Sequence, residues 1–198
     1  MSVVFNDVER LILERWTEVM GLVNARETLQ DRIEEQIQIV AERVGRWAAP
    51  QGFEVDSSPR LAEINAWRSA WADRRKEPRV FLTVGGFCPI GFRKIKWPHP
   101  YLWVYTMNLK DYKLKEPQRT EFGRALRNAL GSKAKEWEGD DIDDLEAPLG
   151  RYLIQYDNTF RAKLLLDPDA LFEFCTQHFP TLFSLADTIE AQIQRLEK

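Results

Sequence analysis

Cysteine and histidine are both scarce in this chain. Cys88, Cys175, His99 and His178 are all that its 198 residues contain of either type. Two distant thiols make no disulfide framework. Each stands beside a phenylalanine (Phe87, Phe174), so both are expected to be buried, inert and reduced. Two cysteines and two histidines in these positions have no zinc spacing, and neither histidine has a sequence neighbour that suggests a triad. Gly85-Gly86 has no Lys-Ser/Thr behind it and reads as a turn, not a phosphate loop. No apolar run approaches the ~20 residues that cross a bilayer. The first seven residues lack a basic stretch followed by an apolar one, so a cytoplasmic chain without membrane attachment is expected. No catalytic residue, cofactor or metal ligand can be named from the sequence, and an enzymatic role is not expected.

What is present is an ordinary globular composition, 44% hydrophobic and 30% charged, with seven tryptophans. That size and balance suit a single domain over 1–198, with a helical segment at 1–49 and an α+β body at 50–198. Asn6 or Asp7 caps a first helix whose apolar stripe runs Val8, Leu11, Ile12, Trp16, Val19, Met20, Val23. Thr28 and Asp31 fit a capping box for a second run, with Ile33, Ile37, Val40, Val44 and Trp47 in heptad spacing. A hairpin bending near Gly21–Arg26 and one long helix both fit, ending at Pro50 and Gly52. Two apolar stripes, Val8–Val23 and Ile33–Trp47, suggest association with a second copy or another protein.

Phe53–Asp56 reads as a short strand. Ser58-Pro59 then opens a helix with Leu61, Ile64, Trp67 and Trp71 on one side. Strands are expected at Arg79–Val84, Ile90–Trp97 and Tyr101–Leu109. In the last, Tyr101, Trp103 and Tyr105 share one face and Leu102 and Val104 the other, so it should be central. A helix follows from about Pro117 to Leu130, with Phe122, Ala125, Leu126 and Ala129 inward and Gly131 as its stop. A hairpin pairs Arg151–Tyr156 with Phe160–Leu166 through Asp157-Asn158. Asp167-Pro168 caps a helix that Pro180 breaks, and a last helix runs to Leu196. The fold class is therefore α+β: an N-terminal helical hairpin or long helix, an antiparallel strand meander with packed helices, and a C-terminal helical pair.

Charge is unevenly spread. Between Arg74 and Lys135 stand 15 Lys/Arg and four acids, while Glu136 to Glu146 hold seven acids and no base. Asp140, Asp141, Asp143 and Asp144 lack the spacing of an EF-hand loop. The basic block interleaves Trp97, Tyr101, Trp103, Tyr105 and Tyr112, and cations with aromatics are what single-stranded nucleic acid binds. Candidate polyanion contacts are Arg74, Arg75, Lys76, Arg93, Lys94, Lys96, Lys110, Lys113, Lys115, Arg119, Arg124 and Arg127, with Trp97 and Tyr112 as stacking platforms. The bland alternative is solvated surface, with the acidic run folded back over it.

Helices leading into an aromatic meander and a terminal helical pair, punctuated by Trp67, Trp71, Trp97 and Trp103 between Thr28 and Ile193, resemble the accessory region after the nuclease core in some bacterial PD-(D/E)XK-family proteins. The nuclease signature itself is missing: Arg93-Lys94-Ile95-Lys96 and Arg161-Ala162-Lys163 have a lysine without the acid. The resemblance thus implies a part that does not cut. Two roles follow, a non-catalytic module binding nucleic acid or another polyanion, or an assembly module acting through the N-terminal helices.

Overall fold

The computed structural model describes residues 6–73, 75–88, 99–106, 116–137 and 149–196. It is α+β, with a long N-terminal helix, an antiparallel sheet and C-terminal helices.

Helix α1 (Asp7–Glu14) starts at Asn6, whose side chain accepts from Glu9 N while the Glu9 carboxylate accepts from Asn6 N, a complete capping box. After a joint at Arg15, α2 runs unbroken from Trp16 to Ala48. Arg15 leaves helical geometry (φ −114°, ψ 33°); its N–H donates to Leu11 O of α1 and its carbonyl accepts from Val19 N of α2. The long helix is therefore the form realised, and no hairpin bends at Gly21–Arg26. Thr28 caps nothing. It lies mid-helix, and its hydroxyl donates to Asn24 O. The helix stops where expected, in a 3₁₀ turn (Ala49–Gln51) closed by Gly52 at φ 81°.

Strands β1 (Glu54–Ser58), β2 (Glu63–Trp67), β3 (Phe81–Gly85), β4 (Tyr101–Tyr105) and β5 (Leu149–Tyr152) form an antiparallel sheet in sequence order. The expected helix after Ser58 is replaced by a 3₁₀ turn (Pro59–Leu61), β2 and a second 3₁₀ turn (Ser69–Trp71). Ile64 and Ala66 point into the core and Glu63 and Asn65 away from it, so a strand period of two buries Ile64, while Leu61 is left 55% exposed. The expected strand Ile90–Trp97 lies outside the described residues. β4 is interior, between β3 and β5, as its two apolar faces require.

Helix α3 (Glu116–Leu130) buries Phe122 and Leu126 and ends at Gly131 (φ 57°), but Ala129 is exposed. The second arm of the expected hairpin is instead helix α4 (Asn158–Leu166), because Asp157 accepts from Phe160 N and acts as an N-cap. Asp167 caps α5 (Pro168–Phe183) as expected. Pro180 sits inside α5 without ending it, since Phe179, Leu182 and Phe183 are buried on either side and hold the last turn in place. Helix α6 (Ala186–Leu196) closes the chain.

One face of the sheet, carrying Ile64, Leu82, Val84, Leu102, Val104 and Leu149, joins a continuous core with α2 and α5. Ile33, Ile37, Val40 and Val44 belong to that core, against β1 and α5. The seam Ile33–Trp47 is thus packed on the chain's own body. At its end Phe53 stacks on Phe183 at 3.7 Å, and Trp47 stacks on the same ring at 5.7 Å.

Candidate functional site

Three places hold functional groups. The first is the outer face of the sheet. Register aligns Ser58, Glu63, Gly85, Tyr101 and Tyr152 in one row, and Asp56, Asn65, Thr83, Trp103 and Gly150 in the next. Thr83 Oγ1 donates to Asn65 Oδ1 at 2.6 Å, and Asn65 Nδ2 donates to Ser58 Oγ at 3.0 Å. Tyr101 reaches across Gly85 to donate its hydroxyl to Glu63 Oε1. A Cβ on Gly85 would sit 2.7 Å from the Tyr101 ring and 2.8 Å from Glu63 Cγ, so the ring occupies the space a side chain would need. Glu63 is 4% exposed, and burial raises its carboxyl to about 7 despite the opposing Tyr101 bond. Burial and the neighbouring Glu63 carboxylate push the Tyr101 phenol well above its ordinary value. A carboxyl near neutrality beside a phenol is the chemistry of a general acid, but both groups are sealed from solvent. In this arrangement they cross-brace β2 and β4.

Below this row Arg161 is fully buried on α4, donating Nη1 to Asn158 Oδ1 at 3.2 Å. Burial lowers its pKa, while Cys88 and Tyr101 act in the other direction. His178 is held down to about 4, first by burial and then by Arg151, and its ring meets Phe174 at 4.5 Å. His99 Nδ1 lies 3.2 Å from Tyr156 O. Nothing in the sequence marked Glu63, because its hydrogen-bond partner Tyr101 comes from another strand. Among the described residues no three His, Cys, Asp or Glu side chains are grouped to hold a metal ion, and no helix is long and apolar enough to cross a membrane. Cys88 and Cys175 are buried thiols, and burial pushes the Cys175 thiol far up.

The second place is the basic block. Arg75 and Lys76 stand exposed on the turn before β3. Here Asp73 accepts from the backbone of Arg75 and Glu77, and Lys76 adopts a left-handed φ of 65°. Arg124 and Arg127 are exposed on α3. Arg119 is also on α3, but its side chain lies outside the described residues, as do Arg74, Arg93, Lys94, Lys96, Trp97, Lys110, Tyr112, Lys113 and Lys115. Two aromatics of the block are not platforms. Tyr101 and Trp103 are buried and stack on each other at 4.2 Å. Arg79 is equally internal, its Nε donating to Trp71 O at 3.0 Å. Glu136, at the start of the acidic run, pairs with Arg151 of β5.

The third place is the N-terminal arm. No residue from Asn6 to Arg32 is buried. Eight large apolar side chains between Val8 and Leu29 are 37–73% exposed, Trp16 at 55% and Leu22 at 73% among them. Beyond Ile33 the same helix is a core element. The 17 residues from Trp16 to Arg32 span about 25 Å at 1.5 Å per residue.

The chain matches no family model, no curated protein and no solved structure significantly.

Proposed function

We propose that the protein is an assembly module whose N-terminal helical arm packs against a helix of another polypeptide. The observation that carries this reading is the uncovered apolar surface of residues 8–29, on α1 and the first part of α2, where the rest of α2 belongs to the core. An amphipathic helix gains most of its stability by packing its apolar face, and one left in water is marginal. Scattered exposed leucines are ordinary, but a continuous apolar stripe marks an interaction surface. Sedimentation equilibrium of the full chain tests the reading. Association that grows with concentration and persists at 0.5 M salt (roughly a 4 Å screening length) is expected, and a strict monomer that captures no helical partner removes it.

A second reading, binding of nucleic acid or another polyanion, keeps one specific support. Arg75, Lys76, Arg124 and Arg127 are exposed, and among the described residues none of the four is in an ion pair. Retention on heparin that weakens steeply with salt tests it.

A further inference from the structure

From Phe122 to Lys135 the chain carries four bases and no acid. These residues make up most of α3 and of the 3₁₀ turn that follows it (Gly131–Trp137). Phe122, Leu126, Leu130, Ala134 and Trp137, spaced by three or four, are buried and fix this unit to the body. The polar side chains left outward between them are Arg124, Arg127, Asn128, Ser132, Lys133 and Lys135, all exposed.

The acids at either end of the unit are engaged elsewhere. Glu121 faces Arg195 of α6 at 3.6 Å, and Glu136 faces Arg151 of β5 at 2.5 Å. The Glu121 pair is exposed on both sides, so it contributes little stability. Its consequence is a matter of charge. Each flanking acid is neutralised by a base from another element, and among the described residues the unit's own four bases enter no ion pair. A local excess of four positive charges remains.

Resting on the polyanion reading above, we infer that α3 and its 3₁₀ turn are a docking surface for the phosphate backbone of double-stranded nucleic acid, held without regard to base sequence. Charge complementarity supports this occupant, since a duplex presents one negative charge per ~1.7 Å of its axis. The donors suit phosphate. Two guanidinium forks can each take two phosphate oxygens, the lysines act as point charges, and Asn128 and Ser132 add neutral donors of the kind that position a protein on a backbone. The unit's aromatics are Phe122 and Trp137, 2% and 3% exposed, so an unpaired base finds no ring to stack on here. That separates this surface from a single-strand platform.

Binding of the full chain to a DNA duplex of ~20 base pairs, to one of its strands and to polyglutamate, between about 50 and 200 mM salt, tests the inference. The duplex should be held at least as tightly as the single strand, and about tenfold or more tighter than polyglutamate. Arg124→Gln, Arg127→Gln, Lys133→Gln and Lys135→Gln combined should lower the magnitude of the log–log salt slope by about 2–4 and weaken duplex binding at least about tenfold at ~50 mM salt. All four positions are exposed and glutamine is a comparable helix former, so an unchanged unfolding midpoint is expected. Arg46→Gln with Lys163→Gln removes two exposed bases on other helices and should leave the slope within about 0.5 of wild type.

A quadruple variant that keeps the wild-type slope overturns the inference. Loss of the slope in Arg75→Gln with Lys76→Gln would then place binding on the turn before β3 and leave the polyanion reading standing. A single strand held about tenfold more tightly than the duplex, or polyglutamate held as tightly, likewise overturns the duplex as occupant. A wild-type chain that binds neither strand form nor heparin at ~50 mM salt removes both readings.

Discussion

Tyr101 on β4 and Glu63 on β2 are joined by a hydrogen bond that passes over the intervening strand, and Gly85 is the residue that lets it pass. Gly85→Ala should therefore cost roughly 1–3 kcal/mol, because the new Cβ must displace a buried ring. Gly21 is the contrast. It lies in the exposed part of α2 with nothing within 4 Å of an added Cβ, so Gly21→Ala should stabilise by about 0.5–1 kcal/mol. Denaturant unfolding of both variants at dilute concentration measures the two signs.

Protonation gives a second test, with two opposed contributions. The Glu63 carboxyl titrates at about 7 in the folded chain against an ordinary 4.5. Its contribution is complete below pH 4.5 and is lost as pH rises through 7, on the order of 3 kcal/mol in all. His178 is lowered from 6.5 to about 4, so its contribution is complete above 6.5 and is lost as pH falls through 4. Between pH 4.5 and 6.5 the two slopes oppose one another. Glu63→Gln should leave stability rising with pH across that window, and His178→Phe should leave it falling. Two parallel profiles would show that neither group is coupled to folding as described.

The two halves of α2 should respond differently to substitution. Trp16→Glu is expected to abolish self-association and to change dilute-solution stability by less than about 0.5 kcal/mol, because the side chain is half exposed. Ile37→Ala opens a cavity against β1 and α5 and should cost about 2–5 kcal/mol at any concentration. Chemical denaturation at two protein concentrations separates the effects.

For the basic block, Arg124→Glu with Arg127→Glu should flatten the salt dependence of heparin or single-strand binding. The log–log slope should fall by about 0.7 for each single-strand phosphate that is no longer neutralised. Trp103→Phe should not affect it, since that indole is buried. An unchanged slope in the paired reversal assigns Arg124 and Arg127 to solvated surface.

Much of the architecture was legible because long periodic segments and their caps are local signals. Asn6, Gly52, Gly131 and Asp167 each do at a helix end what their side chains or missing side chains dictate. Short elements are ambiguous where two periods fit the same residues. Ile64, Trp67 and Trp71 are spaced like a helix face, yet a five-residue strand and a 3₁₀ turn bury Ile64 and Trp71 as well. Asp157-Asn158 suits a hairpin and a helix cap equally, and the packing of Leu164 and Leu165 selected the helix. The heptad from Ile33 marks a seam, but a seam does not name what fills it. The Glu63 pair had no sequence signal at all. A lone glutamate before Ile64 and a Gly-Gly pair acquire meaning only when register sets them beside Tyr101.

The continuity of α2 has a mechanical corollary. With no hinge between Trp16 and Ala48, the azimuth of the arm from Trp16 to Arg32 is set by the body through residue count alone. One residue inserted between Leu29 and Ile33 would turn the whole arm by about 100° around its axis and lengthen it by about 1.5 Å. Seven inserted residues would carry it through nearly two full turns and return the same side chains to nearly the same bearing. The helix is thus a spoke of fixed pitch, and the spacing and twist between whatever bodies it joins are written in the number of residues from Trp16 to Ile33.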